Sequence, residues 1–240
     1  MGRVVVVSGG GTGIGAAAAE LFAGDGAEVY LLGRRENVLA ATAEKLGPRA
    51  HAVTCDLRSP RSVEAAVRRL PGTVDVLVNN AGARGVAAGG DDLTAVAERW
   101  TSDFRNNVLV AVLLTAALTR RLRSPGGRVV TVSSLAAVRG NGSYGAAKSA
   151  LHGWNLTLAS ELGPRGVTAN VVVPGFVAGT EFFGQDTTDD ERTRRAAQTL
   201  VNRVGEPGDA AAAIHYLASP DAGYVTGQFL HVNGGALPGR

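Results

Sequence analysis

Seven short runs of β-branched and aliphatic residues alternate with longer alanine-rich stretches along the chain, and this alternation restricts the possible folds most. Runs that are almost continuously apolar are typical of parallel strands buried on both faces of a sheet. Strands that alternate with helical stretches indicate βαβ units with right-handed crossovers. The sequence therefore predicts a doubly wound α/β fold, a parallel sheet of seven strands flanked by helices on both faces. The predicted strands span 3–8, 28–33, 50–55, 74–79, 128–133, 167–173 and 227–232.

The alternation runs through all 240 residues without a break for a linker, so we predict a single domain over residues 1–240. Cys55 is the only cysteine, which excludes an intrachain disulfide. The opening stretch, MGRVVVVSGG, lacks the long apolar segment of a signal peptide or a membrane span, and we expect a cytoplasmic protein. The four histidines show no metal-ligand spacing, so we assign no metal.

The charge pattern argues against nucleic acid as a partner, and the lack of a long apolar segment argues against a membrane. The net charge is +3, and the arginines occur as small groups separated by acidic and apolar residues. A nucleic-acid surface normally shows a basic stripe or a binding motif, and the sequence has neither. We therefore expect a small-molecule ligand.

A glycine-rich turn, SGGGTGIG, follows the first predicted strand and leads into a helix. Glycines let the backbone approach a pyrophosphate closely, and the helix N-terminus offers free N–H groups to the phosphates. A second strand ends about 20 residues later, as the dinucleotide fingerprint of a Rossmann fold requires. A tight turn without a ligand is the alternative. The residues predicted to contact the cofactor here are Gly9, Gly11, Thr12, Gly13, Ile14 and Gly15.

The end of the second strand, LLGRR, bears on the choice between NAD and NADP. An acidic residue at this position favours NAD because it binds the ribose 2′-OH, whereas an arginine can accommodate the 2′-phosphate of NADP. Here Gly33 stands in place of an acid and is followed by Arg34 and Arg35. We predict NADP(H) as the preferred cofactor, with NAD(H) as the alternative if both arginines are only solvated.

Together with motifs further along the chain, these features resemble those of the classical short-chain dehydrogenase/reductase (SDR) family, and the resemblance covers nearly the whole chain. The motifs that carry it are the glycine turn, CDL, NNAG, NNVLVAVLLT, VSS with SYGAAK, VVVPGFVAGT and YVTGQFLHVNGG, in that order. The resemblance implies that Asp56 contacts the adenine amino group and that the proline-glycine segment lines the nicotinamide. The further cofactor-binding residues it implies are Leu57, Asn80, Ala81, Gly82, Tyr144, Lys148, Pro174, Gly175, Val177 and Thr180.

The same resemblance implies a catalytic set of Asn107, Ser134, Tyr144 and Lys148. Tyr144 and Lys148 are four residues apart, so on a helix they lie on one face. The ammonium and an oxidised nicotinamide are expected to lower the pKa of the phenol, which then serves as general acid and base. Ser134 is expected to hold the substrate oxygen, and Asn107 to hold a water that links Lys148 to solvent.

One departure from the family concerns the connection from Ser134 to Tyr144, which is 10 residues long. Many family members have a few residues more, and the shortening falls in the loop VRGNG, where it is expected to contract one wall of the substrate pocket. It also leaves Ser133 as the alternative to Ser134.

The function implied is an NADP(H)-dependent interconversion of a ketone and a secondary alcohol, in the general pattern of 3-oxoacyl-carrier-protein reductases. The expected assembly is a homotetramer or a homodimer. An NAD-dependent alcohol dehydrogenase of the same family and a catalytically silent, redox-sensing nucleotide-binding protein are the alternatives. A further hypothesis places an acyl-carrier docking surface at Arg120, Arg121, Arg123 and Arg165.

Overall fold

The seven predicted strands form one parallel sheet in the computed structural model, which describes residues 2–85, 92–180 and 188–239. The sheet order is β3-β2-β1-β4-β5-β6-β7, and every neighbouring pair is parallel. The doubly wound α/β prediction is confirmed. The strands are β1 Val4–Ser8, β2 Glu28–Gly33, β3 Ala50–Thr54, β4 Val76–Asn79, β5 Arg128–Val132, β6 Thr168–Pro174 and β7 Phe229–Val232.

Most helices follow the predicted alanine-rich stretches. The short helix Ala136–Arg139, which includes the start of the predicted loop VRGNG, was not predicted, and a second difference lies between β4 and β5. There the helical path is interrupted by a π-helical segment, Arg105–Leu109, and it ends in a 3₁₀ turn, Thr119–Arg121. Within the described ranges, no helix is both long enough and apolar enough to cross a bilayer. The α-helices are α1 Gly13–Gly24, α2 Glu36–Leu46, α3 Pro60–Arg68, α4 Leu93–Phe104, α5 Val110–Leu118, α6 Ala136–Arg139, α7 Gly142–Leu162, α8 Asp189–Ala196 and α9 Pro207–Ala218.

Two apolar clusters cover the two faces of the sheet, as the continuous apolar strands predict. Successive residues of a strand point to opposite faces, so Val6 belongs to one cluster and Val5 to the other. The first cluster includes Leu114 of α5, and the second includes Ile214 of α9. All four side chains are fully buried. Burial on both faces explains why the strands carry so few polar residues.

The strand order reverses between β1 and β4, and a set of hydrogen bonds joins the two strands at that point. The Ser8 hydroxyl donates to the Val78 carbonyl at 3.2 Å and accepts from the Asn80 backbone N–H at 2.9 Å. The Asn80 side-chain amide donates to the Gly9 carbonyl at 3.2 Å. In open α/β sheets, ligands bind in the crevice beyond the carboxyl ends at such a reversal. The fold therefore places the glycine turn and the NNAG motif on either side of that crevice.

Candidate active site

A cavity runs along the carboxyl edge of the sheet, and most of the predicted cofactor-binding residues line it. Gly13 and Gly15 are not among the lining residues, because they lie beneath it at the start of α1. The predicted residues that line the cavity are Gly9, Gly11, Thr12, Ile14, Arg34, Arg35, Asp56, Leu57, Asn80, Ala81, Gly82, Ser134, Tyr144, Lys148, Pro174, Gly175, Val177 and Thr180. Residues from six strand ends thus meet at one surface.

The glycine turn packs too closely for side chains at its centre. A Cβ on Gly15 would lie 2.2 Å from the Gly9 carbonyl oxygen and 2.5 Å from the Asn80 amide nitrogen. The Thr12 side chain makes no capping hydrogen bond at the start of α1. The first N–H groups of a helix have no partner within the helix, so they remain available to an anion in the cavity.

The end of the cavity near β2 and β3 is rich in arginine. Besides Arg34 and Arg35, it includes Arg58, which the sequence prediction missed. Arg58 donates to both oxygens of Asp56, from Nε at 2.8 Å and from Nη2 at 2.7 Å. The hydrogen bond from Arg58 lowers the pKa of Asp56 to about 2, and the nearby Arg34 acts in the same direction. A basic residue two positions after the aspartate was the signal available in the sequence.

The opposite end of the cavity contains Tyr144 and Lys148, one turn apart on α7 as predicted. Both side chains are buried, and the Lys148 Nζ lies 6.0 Å from the centroid of the Tyr144 ring. Lys148 donates to the Val132 carbonyl at 3.1 Å. Tyr144 shares a side-chain hydrogen bond with Ser134. The geometry therefore brings an ammonium, a phenol and a hydroxyl together at the carboxyl end of β5.

Ser133 and Ser134, the two alternatives left open by the sequence, have different partners. The Ser133 hydroxyl donates to the Lys148 backbone carbonyl at 3.1 Å and lies 2.9 Å from the His152 Nε2. Ser133 thus contacts Lys148 and His152 of α7, whereas Ser134 is hydrogen-bonded to the Tyr144 phenol. The structure places Ser134 next to Tyr144, in spite of the short connection between them.

Asn107 lies in the π-helical segment and points toward Lys148. Its amide nitrogen donates to the Ala83 carbonyl at 2.7 Å and to the Asp103 carbonyl at 2.9 Å. Its Oδ1 is buried and accepts no hydrogen bond from the described residues. A Cβ on Gly82 would lie 2.7 Å from this oxygen and 3.1 Å from the Lys148 Nζ. Glycine at position 82 thus keeps open the space where the two polar groups converge.

Burial shifts the pKa values of Tyr144 and Lys148 in opposite directions. It raises the pKa of Tyr144 to about 12, although the Ser134 hydrogen bond and the Arg84 charge act to lower it. It lowers the pKa of Lys148 to about 8. The expected fall of the Tyr144 pKa is therefore wrong for the protein without cofactor, because desolvation of the phenolate outweighs the nearby positive charges. The phenol is neutral near neutral pH and can donate a proton.

The arginines proposed for acyl-carrier docking lie at the amino edge of the sheet, away from this site. Arg121 donates to the Val67 carbonyl at 2.7 Å, and Arg165 donates to the Thr119 carbonyl at 2.9 Å. Arg123 pairs with the buried Asp75, which precedes β4. Three of the four arginines therefore have structural partners at the edge of the sheet opposite the cavity.

Comparisons with known proteins agree with this geometry. The family described as enoyl-(acyl carrier protein) reductase matches residues 9–236. The 3-oxoacyl-[acyl-carrier-protein] reductase FabG of Vibrio cholerae serotype O1 is 35% identical over 241 residues, which cover 98% of this chain and 97% of that protein. A crystal structure of a dehydrogenase/reductase from Sinorhizobium meliloti 1021 has a TM-score of 0.87 at 32% identity, covering 98% of this chain and 95% of that one. A blue fluorescent protein from a metagenomic library, solved in complex with NADPH, has a TM-score of 0.86 at 35% identity, covering 98% of each chain.

The buried Lys148 ammonium is expected to lower the stability of the protein near neutral pH. Its pKa falls from 10.5 to about 8 on folding, a change that corresponds to about 3 kcal/mol between the two protonation states. The unfolded chain binds the extra proton between these values, so the free energy of unfolding should rise as the pH increases from about 8 toward 10.5. Urea unfolding of the wild type across this range measures the effect.

The Lys148→Met variant is the matched comparison, because methionine is similar in length and carries no charge. Its free energy of unfolding near neutral pH should exceed that of the wild type by about 1–3 kcal/mol, and its stability should lack the rise above pH 8. The Cys55 thiol, whose pKa is raised by burial, is present in both proteins, so its contribution cancels in the comparison. Equal stability of the two proteins, with parallel pH profiles, would contradict the prediction.

Proposed function

Because the chain belongs to the classical short-chain dehydrogenase/reductase family, we propose that it is an NADP(H)-dependent enzyme that interconverts a ketone and a secondary alcohol by hydride transfer. The family membership makes it an oxidoreductase acting on CH–OH or C=O groups with a nicotinamide cofactor. The observation that carries the more specific proposal is the convergence of Tyr144, Ser134 and Lys148 at one end of a cavity that also contains arginines. The buried Asn107 Oδ1 lies behind Gly82, close to the Lys148 Nζ. We also propose that residues 1–240 form one domain, since a single sheet includes all seven strands.

The residues present fit a dinucleotide with a 2′-phosphate. The close packing of Gly9 and Gly15 against Asn80 leaves no room for side chains and keeps the turn tight, and the start of α1 offers N–H groups for the pyrophosphate. Arg34 and Arg35 would hold the 2′-phosphate, and Lys148 would bind the hydroxyls of the nicotinamide ribose. One similar structure was solved with NADPH, and another, from Burkholderia cenocepacia J2315, with NADP. When bound, the nicotinamide supplies or accepts the hydride.

The chain's own residues then supply the proton and hold the substrate. Tyr144, neutral because of its raised pKa, donates its phenolic proton to the carbonyl oxygen during reduction. Ser134, already bonded to the phenol, orients that oxygen. Lys148 places a positive charge beside the phenolate that forms, and the Asn107 Oδ1 faces the same space as its ammonium group. In alcohol oxidation the same groups work in reverse, with the phenolate as the base.

Replacing Tyr144 tests whether the protein is an enzyme or a silent nucleotide-binding protein. With acetoacetyl-coenzyme A as the probe ketone and NADPH as the reductant, Tyr144→Phe should lower kcat by about 10²–10⁴-fold, because the proton donor is lost. The dissociation constant for NADPH, measured by titration calorimetry, should change little. Tyr216→Phe, at an exposed position on α9, is the control and should keep full activity. Turnover that survives Tyr144→Phe would overturn the catalytic assignment.

Calorimetric titration with NADPH and with NADH tests the cofactor preference. NADPH should bind more tightly, because each hydrogen bond between an arginine and a phosphate contributes about 1.5–3 kcal/mol. Arg34→Leu and Arg35→Leu should each reduce the affinity for NADPH and leave that for NADH nearly unchanged. Arg68→Leu, on the exposed side of α3, removes the same charge away from the cavity. Tighter binding of NADH by the wild type would instead support the NAD-dependent alternative.

The outer face of α4 and α5 supports the proposal of a homodimer or homotetramer. Trp100, Phe104 and Leu109 are 44%, 37% and 39% exposed and border one apolar groove, which Val108 and Val112 also line. Contiguous exposed apolar surface of this kind usually marks an interface. We propose that a second copy of the chain covers it about a two-fold axis, because the same surface then pairs with itself.

Charge introduced into this groove should dissociate the assembly. The double variant Trp100→Glu/Leu109→Glu places four carboxylates in a two-fold interface, two from each copy, and light scattering should show a smaller particle than for the wild type. Leu21→Glu, on the exposed side of α1, should leave the mass unchanged. A wild-type monomer would refute the proposal.

A further inference from the structure

Asp103, in the last turn of α4, is a buried carboxylate that joins three segments of the candidate active site. It is 4% exposed. The Gly85 backbone N–H donates to its Oδ1 at 2.6 Å, and the Ser143 hydroxyl donates to its Oδ2 at 2.6 Å. Its backbone carbonyl accepts from the Asn107 amide at 2.9 Å. The loop after β4, the π-helical segment and the start of α7 therefore converge on one residue.

The first turn of α7 lacks the local features that usually fix the start of a helix. The Asn141 side chain, at the position that normally caps a helix, makes no capping hydrogen bond. Gly140 and Gly142 on either side have φ values of 79° and 53°, in the left-handed region that glycine enters readily. Such a connection does not by itself define where the helix begins. A negative charge near a helix N-terminus is favourable because of the helix dipole, and Asp103 supplies one through Ser143.

The anchored residue directly precedes Tyr144, so the position of the phenol depends on this contact. We propose that Asp103 is a positioning residue for the reaction: its buried carboxylate holds the first turn of α7, and with it the Tyr144 phenol, against the loop that follows β4. The inference rests on the proposed function, because Tyr144 must be oriented toward a bound carbonyl for the position to matter. A displacement of about 1 Å in such a group is sufficient to reduce a rate by about 10²-fold.

Asp103 also contributes a fixed charge beside the phenol. Four groups among the described residues act on the Tyr144 phenol. Ser134 forms a hydrogen bond with it, and Asp103 acts through its charge. The Arg84 Cζ and the Lys148 Nζ lie 5.8 Å and 6.0 Å from the centroid of its ring. The Asp103 charge raises the pKa of Tyr144, and the Arg84 charge lowers it. A negative neighbour disfavours the phenolate, so removing the Asp103 charge should lower the pKa of the phenol.

The variant Asp103→Asn tests both roles, because it keeps the shape of the side chain and removes its charge and one acceptor. Reduction of acetoacetyl-coenzyme A by NADPH, and oxidation of 3-hydroxybutyryl-coenzyme A by NADP, are measured as functions of pH. In Asp103→Asn, kcat for reduction should fall by about 10–100-fold, and the rise of the oxidation rate with pH should move to lower pH. The affinity for NADPH should stay within about twofold of the wild-type value, because Asp103 does not line the cofactor cavity.

Two further variants separate the roles. Ser143→Ala removes one of the two hydrogen bonds and keeps the carboxylate, so kcat should fall without a shift of the oxidation profile to lower pH. Glu98→Gln neutralises an exposed carboxylate on the same helix and should change neither quantity. A wild-type value of kcat in Asp103→Asn would overturn the proposal. A loss of kcat without a shift in the pH profile of oxidation would also overturn it, because that result indicates a merely structural role.

Hydrogen exchange provides a test that needs no substrate. Breaking the contact should accelerate exchange of the Gly85 amide and of the amides at 145 and 146, the first that donate within α7, by about 10-fold or more in Asp103→Asn and, for α7, in Ser143→Ala. Unchanged exchange in both variants would overturn the proposal, and Ser143→Ala decides alone if Asp103→Asn does not fold. If the wild type binds NADPH but reduces no probe ketone, the proposed function fails, while the exchange result still decides whether Asp103 holds α7.

Discussion

The parallel arrangement of the sheet is the constraint on which the candidate site depends. In a parallel sheet all carboxyl ends lie at one edge, so the residues that follow each strand meet there regardless of their separation in the chain. Gly9, Asp56, Asn80, Ser134 and Gly175 follow five different strands and line one cavity. The same geometry places Arg121 and Arg165 at the other edge, where they bind the carbonyls of Val67, in the last turn of α3, and of Thr119, in a 3₁₀ turn. Strand direction thus separates the groups that face the cavity from those that stabilise loops.

Within this frame the candidate site contains buried polar groups that cost free energy. Burial disfavours both the Lys148 ammonium and a Tyr144 phenolate, as the opposite shifts of their pKa values show. Lys148 donates a hydrogen bond to the Val132 carbonyl, and the buried Asp103 carboxylate accepts hydrogen bonds from Gly85 and Ser143. These hydrogen bonds offset part of the cost of burying charged groups. Such an arrangement holds the polar groups in fixed positions and is typical of sites where stability is given up for reactivity.

The sequence predicted which residues would meet at the carboxyl edge better than it predicted the contacts between them. Tyr144 and Lys148 could be paired from their spacing alone, because four residues make about one helical turn. Arg58 was missed, although it stands two residues after Asp56, because a single arginine in a loop has no pattern that distinguishes it from a solvated one. Asp103 was missed because Ser143, its partner, is 40 residues away in the chain. The raised pKa of Tyr144 in the protein without cofactor was not predicted, because the sequence shows which charges are present and not how deeply the phenol is buried.

The sequence by itself determined the fold class, the strand positions to within about two residues and the order in which the motifs reach the carboxyl edge. These properties follow from local periodicity and from the fixed geometry of parallel βαβ units. Only the tertiary structure distinguished the surroundings of Ser133 and Ser134, since both follow β5 and differ in which residue of α7 each hydroxyl contacts. It also revealed how Asp103 meets Gly85 and Ser143. Such contacts join residues from separate segments, and their distances and burial are set by packing rather than by any repeating pattern along the chain.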